Sequence, residues 1–103
     1  MYQISVYIPS SHLDKVKVAM FEKGASKFNN YNYCAWQTKG EGQFRPNENA
    51  NPAIGKSGKL EKVVEYKVEM VCDDNYIKDV IKAMKKTHPY EEVAYTVIKL
   101  QDI

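Results

Sequence analysis

Thr87-His88-Pro89-Tyr90-Glu91-Glu92-Val93-Ala94-Tyr95 ends a strongly periodic helix and begins a hydrophobic strand, and that junction decides the fold. Upstream, Ile77, Val80, Ile81 and Met84 recur on one side of a helix, while Lys82, Lys85 and Lys86 suit the negative end of its dipole. Pro89 has no backbone donor and disfavours helical geometry at His88, so the helix stops there. From about Val93 to Leu100 the chain alternates as a strand does, with Ala94, Thr96, Ile98 and Leu100 on one face and Tyr95, Val97 and Lys99 on the other. Asp73 or Asp74 is the expected cap at the start of the helix.

The preceding segments mirror this unit. Ile4, Val6 and Ile8 alternate with Ser5 and Tyr7 until Pro9. Ser10 or Ser11 can then cap a helix in capping-box fashion with Asp14; Leu13, Val16 and Met20 recur along it, and Gly24 supplies the stop. Tyr31 to Thr38, rich in aromatics and bounded by Asn29-Asn30 and Gly40, reads as a second strand. Val64, Tyr66, Val68 and Met70 alternate against Glu65, Lys67 and Glu69 in a third, after a long loop at about 39–60. The order βαββαβ predicts a single α+β domain over 1–103, a ferredoxin-like sandwich with two helices on one face of a four-stranded antiparallel sheet. The other sheet face is expected to carry Tyr7, Tyr95, Val97 and Tyr33 or Trp36, and to bury them by self-association.

Bulk properties narrow the class. The 103 residues suffice for one core, and 44% hydrophobic with 27% charged residues is ordinary for a globular chain. No apolar run approaches the roughly 20 residues of a membrane span. The start Met1-Tyr2-Gln3-Ile4 reads as strand rather than signal peptide, so a cytoplasmic address is expected and membrane is not a partner. A net charge of +2 without a basic stripe argues against nucleic acid. Cys34 and Cys72 lack CxxC spacing and read as two buried thiols.

Four motifs in order carry a resemblance over nearly the whole chain: Gly40-x-Gly42-Gln43-Phe44-Arg45-Pro46, Asn51-Pro52-x-Ile54-Gly55, Gly58-Lys59-Leu60-Glu61, and His88-Pro89-Tyr90-Glu91-Glu92-x-Ala94-Tyr95. They resemble the inserted domain of the YqfO/YbgI dinuclear-metal family, the GTP cyclohydrolase type 2 homologs. The resemblance implies a fold similar to the CutA and PII trimers, and the His88 segment also resembles a turn of CutA, which is linked to divalent-cation tolerance. The parent family holds its metals in flanking halves this sequence lacks. The chain looks like the insert made free-standing, so neither the dinuclear centre nor hydrolase activity carries over.

Several residues remain as candidates. His88 and Glu91, with Cys34 if it points into the same cleft, are the types that bind a divalent metal; alternatively His88 only ends the helix and the glutamates face solvent or meet a lysine of a neighbouring subunit. In the long loop, glycines with Arg45, Lys56 and Lys59 could receive an anion, or Phe44 and Ile54 could simply pin a packed surface loop. Spacing supports no catalytic residues. The expectation is a non-enzymatic homo-oligomeric binding or regulatory module, a trimer first and open to a protein partner. Clefts between one subunit's loop and the next subunit's turn would use Arg45, Lys59, His88, Glu91 and Glu92, and the alternative is a CutA-like metal-tolerance protein with no other cofactor required.

Overall fold

Ile4, Val6 and Ile8 are fully buried on one side of β1 (Tyr2–Pro9), while Tyr7 on the other side stays exposed, as the alternation requires. The computed structural model describes every residue from Met1 to Ile103. After β1, a short 3-10 turn (Ser10–His12) leads into α1 (Leu13–Glu22), followed by β2 (Trp36–Phe44), β3 (Glu61–Cys72), α2 (Ile77–Thr87) and β4 (Tyr95–Lys99). The strands form one antiparallel sheet in the order β2-β3-β1-β4, the ferredoxin-like arrangement expected. Val16 and Met20 of α1 and Val80 and Met84 of α2 close the core over Ile4, Val6, Ile8, Val68 and Met70. Each such aliphatic side chain contributes about 1.5–3 kcal/mol by leaving water. No helix is long and apolar enough to cross a membrane.

Gly24 ends α1 as the sequence predicts. Its φ of +111° is open to glycine, and the Ala25 and Gly24 amides bond the Met20 and Phe21 carbonyls at 3.2 and 3.0 Å in a Schellman motif. The N-termini differ from expectation. Ser11 Oγ turns to His12 Nδ1 at 2.8 Å instead of capping α1, and Asp73 accepts from the Asn75 amide at 2.9 Å in a turn ahead of Tyr76, the residue at the α2 N-cap.

The largest correction concerns β2. It lies at Trp36–Phe44 rather than Tyr31–Thr38, so the irregular connection is 45–60 and not 39–60. Tyr31 to Ala35 carries no strand: Phe28 and Tyr31 close a turn through left-handed Asn29, and Tyr33, also left-handed, stacks on Phe21 with centroids 4.5 Å apart. Tyr33 thus packs on the end of α1 instead of joining the sheet. β2 is an edge strand exposed almost throughout, so nothing imposes hydrophobic alternation on it.

Register also relocates part of the presumed contact face. Tyr95 pairs with Val6 and Val97 with Ile4, and directly paired residues share a face, so Tyr95 and Val97 lie on the helix side, with Lys85 over the Tyr95 ring. The uncovered face instead presents Tyr7, Ile98 and Trp36 among Gln3, Ser5, Thr38, Glu65, Lys67 and Glu69. Cys72 is buried and Cys34 only half-buried; both are free thiols.

Candidate functional site

Three pieces of chain meet at one end of the open sheet face. The floor comes from Tyr7 of β1 and Glu65 of β3, one wall from the turn after α2, and the other from the end of β2 with the 45–60 connection. That connection is fastened rather than free. The Gly58 amide donates to the Pro46 carbonyl at 2.7 Å, and the Asn51 amide donates to Glu91 Oε1 at 2.9 Å.

His88 lies beneath this turn, 6% exposed, and both ring nitrogens are engaged. Nε2–H donates to the Tyr7 carbonyl at 2.7 Å, while Nδ1 accepts the Tyr90 amide at 3.2 Å. A carbonyl cannot donate and an amide cannot accept, so the two contacts fix one neutral tautomer. Burial lowers the His88 pKa, against the opposing pull of the Tyr7 carbonyl and nearby Glu65.

Tyr90, so placed, donates its hydroxyl to Glu65 Oε2 at 2.9 Å and sets its ring against His88 and Phe44, with centroids 4.9 and 6.1 Å away. Burial first, and the Glu65 bond second, push the Tyr90 hydroxyl above the ordinary tyrosine range. Glu65 can take this position because Gly42, on the neighbouring strand, has no side chain: a Cβ there would stand 2.1 Å from Glu65 Oε1. Gly42→Ala is therefore expected to swing the carboxylate away, leave the Tyr90 hydroxyl without its acceptor and destabilise the fold by about 1–2 kcal/mol. Alkaline titration followed by ultraviolet absorbance checks this, since Tyr90 should then ionise at lower pH than in the parent; an unchanged titration would refute the link.

The result is a cleft of about 310 Å³. Arg45, Glu91 and Glu92 line it together, as the sequence reading grouped them, and Tyr7, Phe44 and Tyr90 supply aromatic walls. Within one subunit the loop already meets its own chain's turn, through the Asn51–Glu91 bond. His88 supports the cleft from below and does not line it, and Lys56 and Lys59 lie outside it. Cys34 is remote, since its amide bonds Ser26, which in turn bonds Val71 at the opposite end of β3. No group of three or more His, Cys, Asp or Glu side chains is gathered that could hold a metal ion. The residue that sequence reasoning missed is Glu65. In the sequence it is one more polar residue of an alternating strand, and its reach depends on which β2 residues lie beside it, Gly40 opposite and Gly42 on the diagonal.

Known proteins share this architecture. Over 100 residues the chain is 43% identical to the GTP cyclohydrolase 1 type 2 homolog of Halalkalibacterium halodurans, covering 97% of this chain and 27% of that protein. The chain thus spans about a quarter of the length of the curated relatives it matches. The crystal structure of a Bacillus cereus protein related to NIF3 superposes with a TM-score of 0.83 at 36% identity, over 98% of this chain and 26% of the other. CutA1 from Pyrococcus horikoshii superposes at 0.70 with 16% identity, over 100% and 86% of the two chains. The periplasmic divalent cation tolerance protein CutA from Archaeoglobus fulgidus does so at 0.69 with 17% identity, over 99% and 86%. No family model matches the chain. The chain is therefore a homolog of a domain-sized segment of the GTP cyclohydrolase 1 type 2 homologs, built on the CutA-like ferredoxin fold.

Proposed function

We propose that this chain is a non-enzymatic binding or regulatory module that assembles with copies of itself, as a trimer in the leading version, and holds a small ligand in the cleft between its 45–60 connection and the Tyr90–Glu92 turn. The observation that carries the reading is a cleft whose walls are tied by their own hydrogen bonds and whose lining combines aromatic rings with charged side chains. His88, the nearest imidazole, has both nitrogens committed to the backbone. Such a lining can bind and orient a molecule.

Assembly draws support from the uncovered sheet face, where Trp36 is 69% exposed and Ile98 56%. The expected outcome is a defined oligomer by light scattering at micromolar concentration, unchanged by chelation, that dissociates in the Trp36→Asp variant. A wild-type protein that runs as single subunits would refute the assembly. The alternative, divalent-metal handling of the kind named for the Archaeoglobus protein, has likeness of fold behind it and would need ligands from neighbouring copies. A tightly held transition metal found by elemental analysis, or oligomers that fall apart on chelation, would favour it.

A further inference from the structure

The cleft carries a preference of charge and shape that narrows what it takes. Its ionisable side chains are Glu65, Glu91 and Glu92 against Arg45 alone, apart from the tyrosines, so the lining is acidic although the whole chain is net positive at +2. Two of the three carboxylates are fixed in place. Glu65 uses one oxygen on the Tyr90 hydroxyl, with the other against Gly42, and Glu91 uses one oxygen on the Asn51 amide. Glu65 is half-buried at the floor, where a carboxylate attracts a cation more strongly than it would in open water. Around these acids stand the rings of Tyr7, Phe44 and Tyr90, whose faces attract positive charge, with Pro52 and Ile54 adding apolar cover.

Resting on the reading of this cleft as a ligand site, we infer that the ligand is a small organic cation: an ammonium or guanidinium group carried on a short apolar body. Anions fit poorly because Lys56 and Lys59 stand outside the lining and leave Arg45 to face three carboxylates. A bare metal ion fits poorly because no ligand set of three is gathered and because aromatic and proline walls offer it nothing. An organic cation uses both halves of the lining, its charge directed at Glu65 and Glu92 and its methylene or methyl groups placed against the rings. The volume, about 310 Å³, lies at the small end of the range for small-molecule sites. Arg45 at the rim then acts as a selectivity element, repelling ligands of higher positive charge.

The test compares choline with its uncharged carbon isostere, 3,3-dimethylbutan-1-ol, and with inorganic phosphate, by calorimetry and by backbone chemical-shift perturbation on the intact protein. Choline should perturb Tyr7, Phe44 and Glu92 and bind roughly tenfold or more tightly than the isostere. Glu92→Gln should weaken choline severalfold with the thermal midpoint unchanged, whereas Arg45→Gln should strengthen it, because the one like charge is gone. The sign of the Arg45 effect is the sharpest reading, since an anion site would respond the opposite way. Equal binding of choline and the isostere, no binding of choline, or choline weakened by Arg45→Gln would each overturn the cation assignment. Phosphate perturbing the same residues while choline does not would overturn it too, yet leave the cleft standing as a ligand site.

Discussion

His88→Ala is expected to cost roughly 3 kcal/mol of folding stability and to erase a pH dependence expected of the parent protein. The substitution leaves the Tyr7 carbonyl and the Tyr90 amide without partners at a position only 6% exposed, and each abandoned buried polar group costs about 1–3 kcal/mol. For a domain of about this size each kcal/mol lowers the thermal midpoint by roughly 4–8 °C, so calorimetry reads the effect easily. The pH dependence follows from burial, which lowers the His88 pKa from its ordinary value of 6.5. Above that value neither the folded nor the unfolded chain carries the proton, and the contribution is fully present. As the pH falls below it the unfolded chain takes up a proton that the folded chain resists, and stability drops by up to about 1.4 kcal/mol per pH unit. The cost of His88→Ala, measured by urea denaturation, should therefore shrink between pH 6.5 and the carboxylate range. A constant difference between parent and variant across that window would show that His88 is not held neutral by the Tyr7 and Tyr90 contacts.

Gly24→Ala is expected to be the other severe change, at about 2–3 kcal/mol. At a φ of +111° alanine is strained whatever the space around it, and its Cβ would stand 2.7 Å from the Tyr76 ring. The ring packs there because the end of α1 lies against the start of α2, where Tyr76 is the first capping residue. Relief requires Tyr76 to swing out, which loses that contact and the nearby Lys27 ammonium at 5.6 Å from its centroid. The expected loss is a thermal midpoint lowered by roughly 10–20 °C. Gly40→Ala makes the control, since a Cβ there meets nothing within 4 Å and its φ is ordinary. If Gly24→Ala proves as mild as Gly40→Ala, the Schellman turn is not what holds the two helices together.

How much of the molecule the sequence revealed varies by element, for identifiable reasons. The alternation of Ile4, Val6 and Ile8 and the spacing of Val80 and Met84 follow from burial on one side only, so both elements and their core residues were legible. β2 was not. It is wet on both faces, its glycines read as punctuation, and of the aromatics that imitated a strand Tyr33 packs on Phe21 while Tyr31 closes a turn with Phe28. Arg45, Glu91 and Glu92 were found because their residue types stood out, whereas Glu65 went unnoticed because its role depends on a partner in another strand.

The sequence by itself determined the order of elements, the helix stops at Gly24 and Pro89, and the apolar stripes that make one core, because each of these follows from local backbone freedom or from periodic burial. Tertiary structure alone decided the strand register. That register carried Tyr95 and Val97 to the helix side, paired Glu65 with Gly40 so that its carboxylate lies diagonally against Gly42, brought the loop onto its own chain's turn, and tied both nitrogens of His88 to the backbone. The physical reason is that a one-residue shift between paired strands moves every side chain to the opposite face, and nothing in an exposed edge strand records which alignment the chain will take.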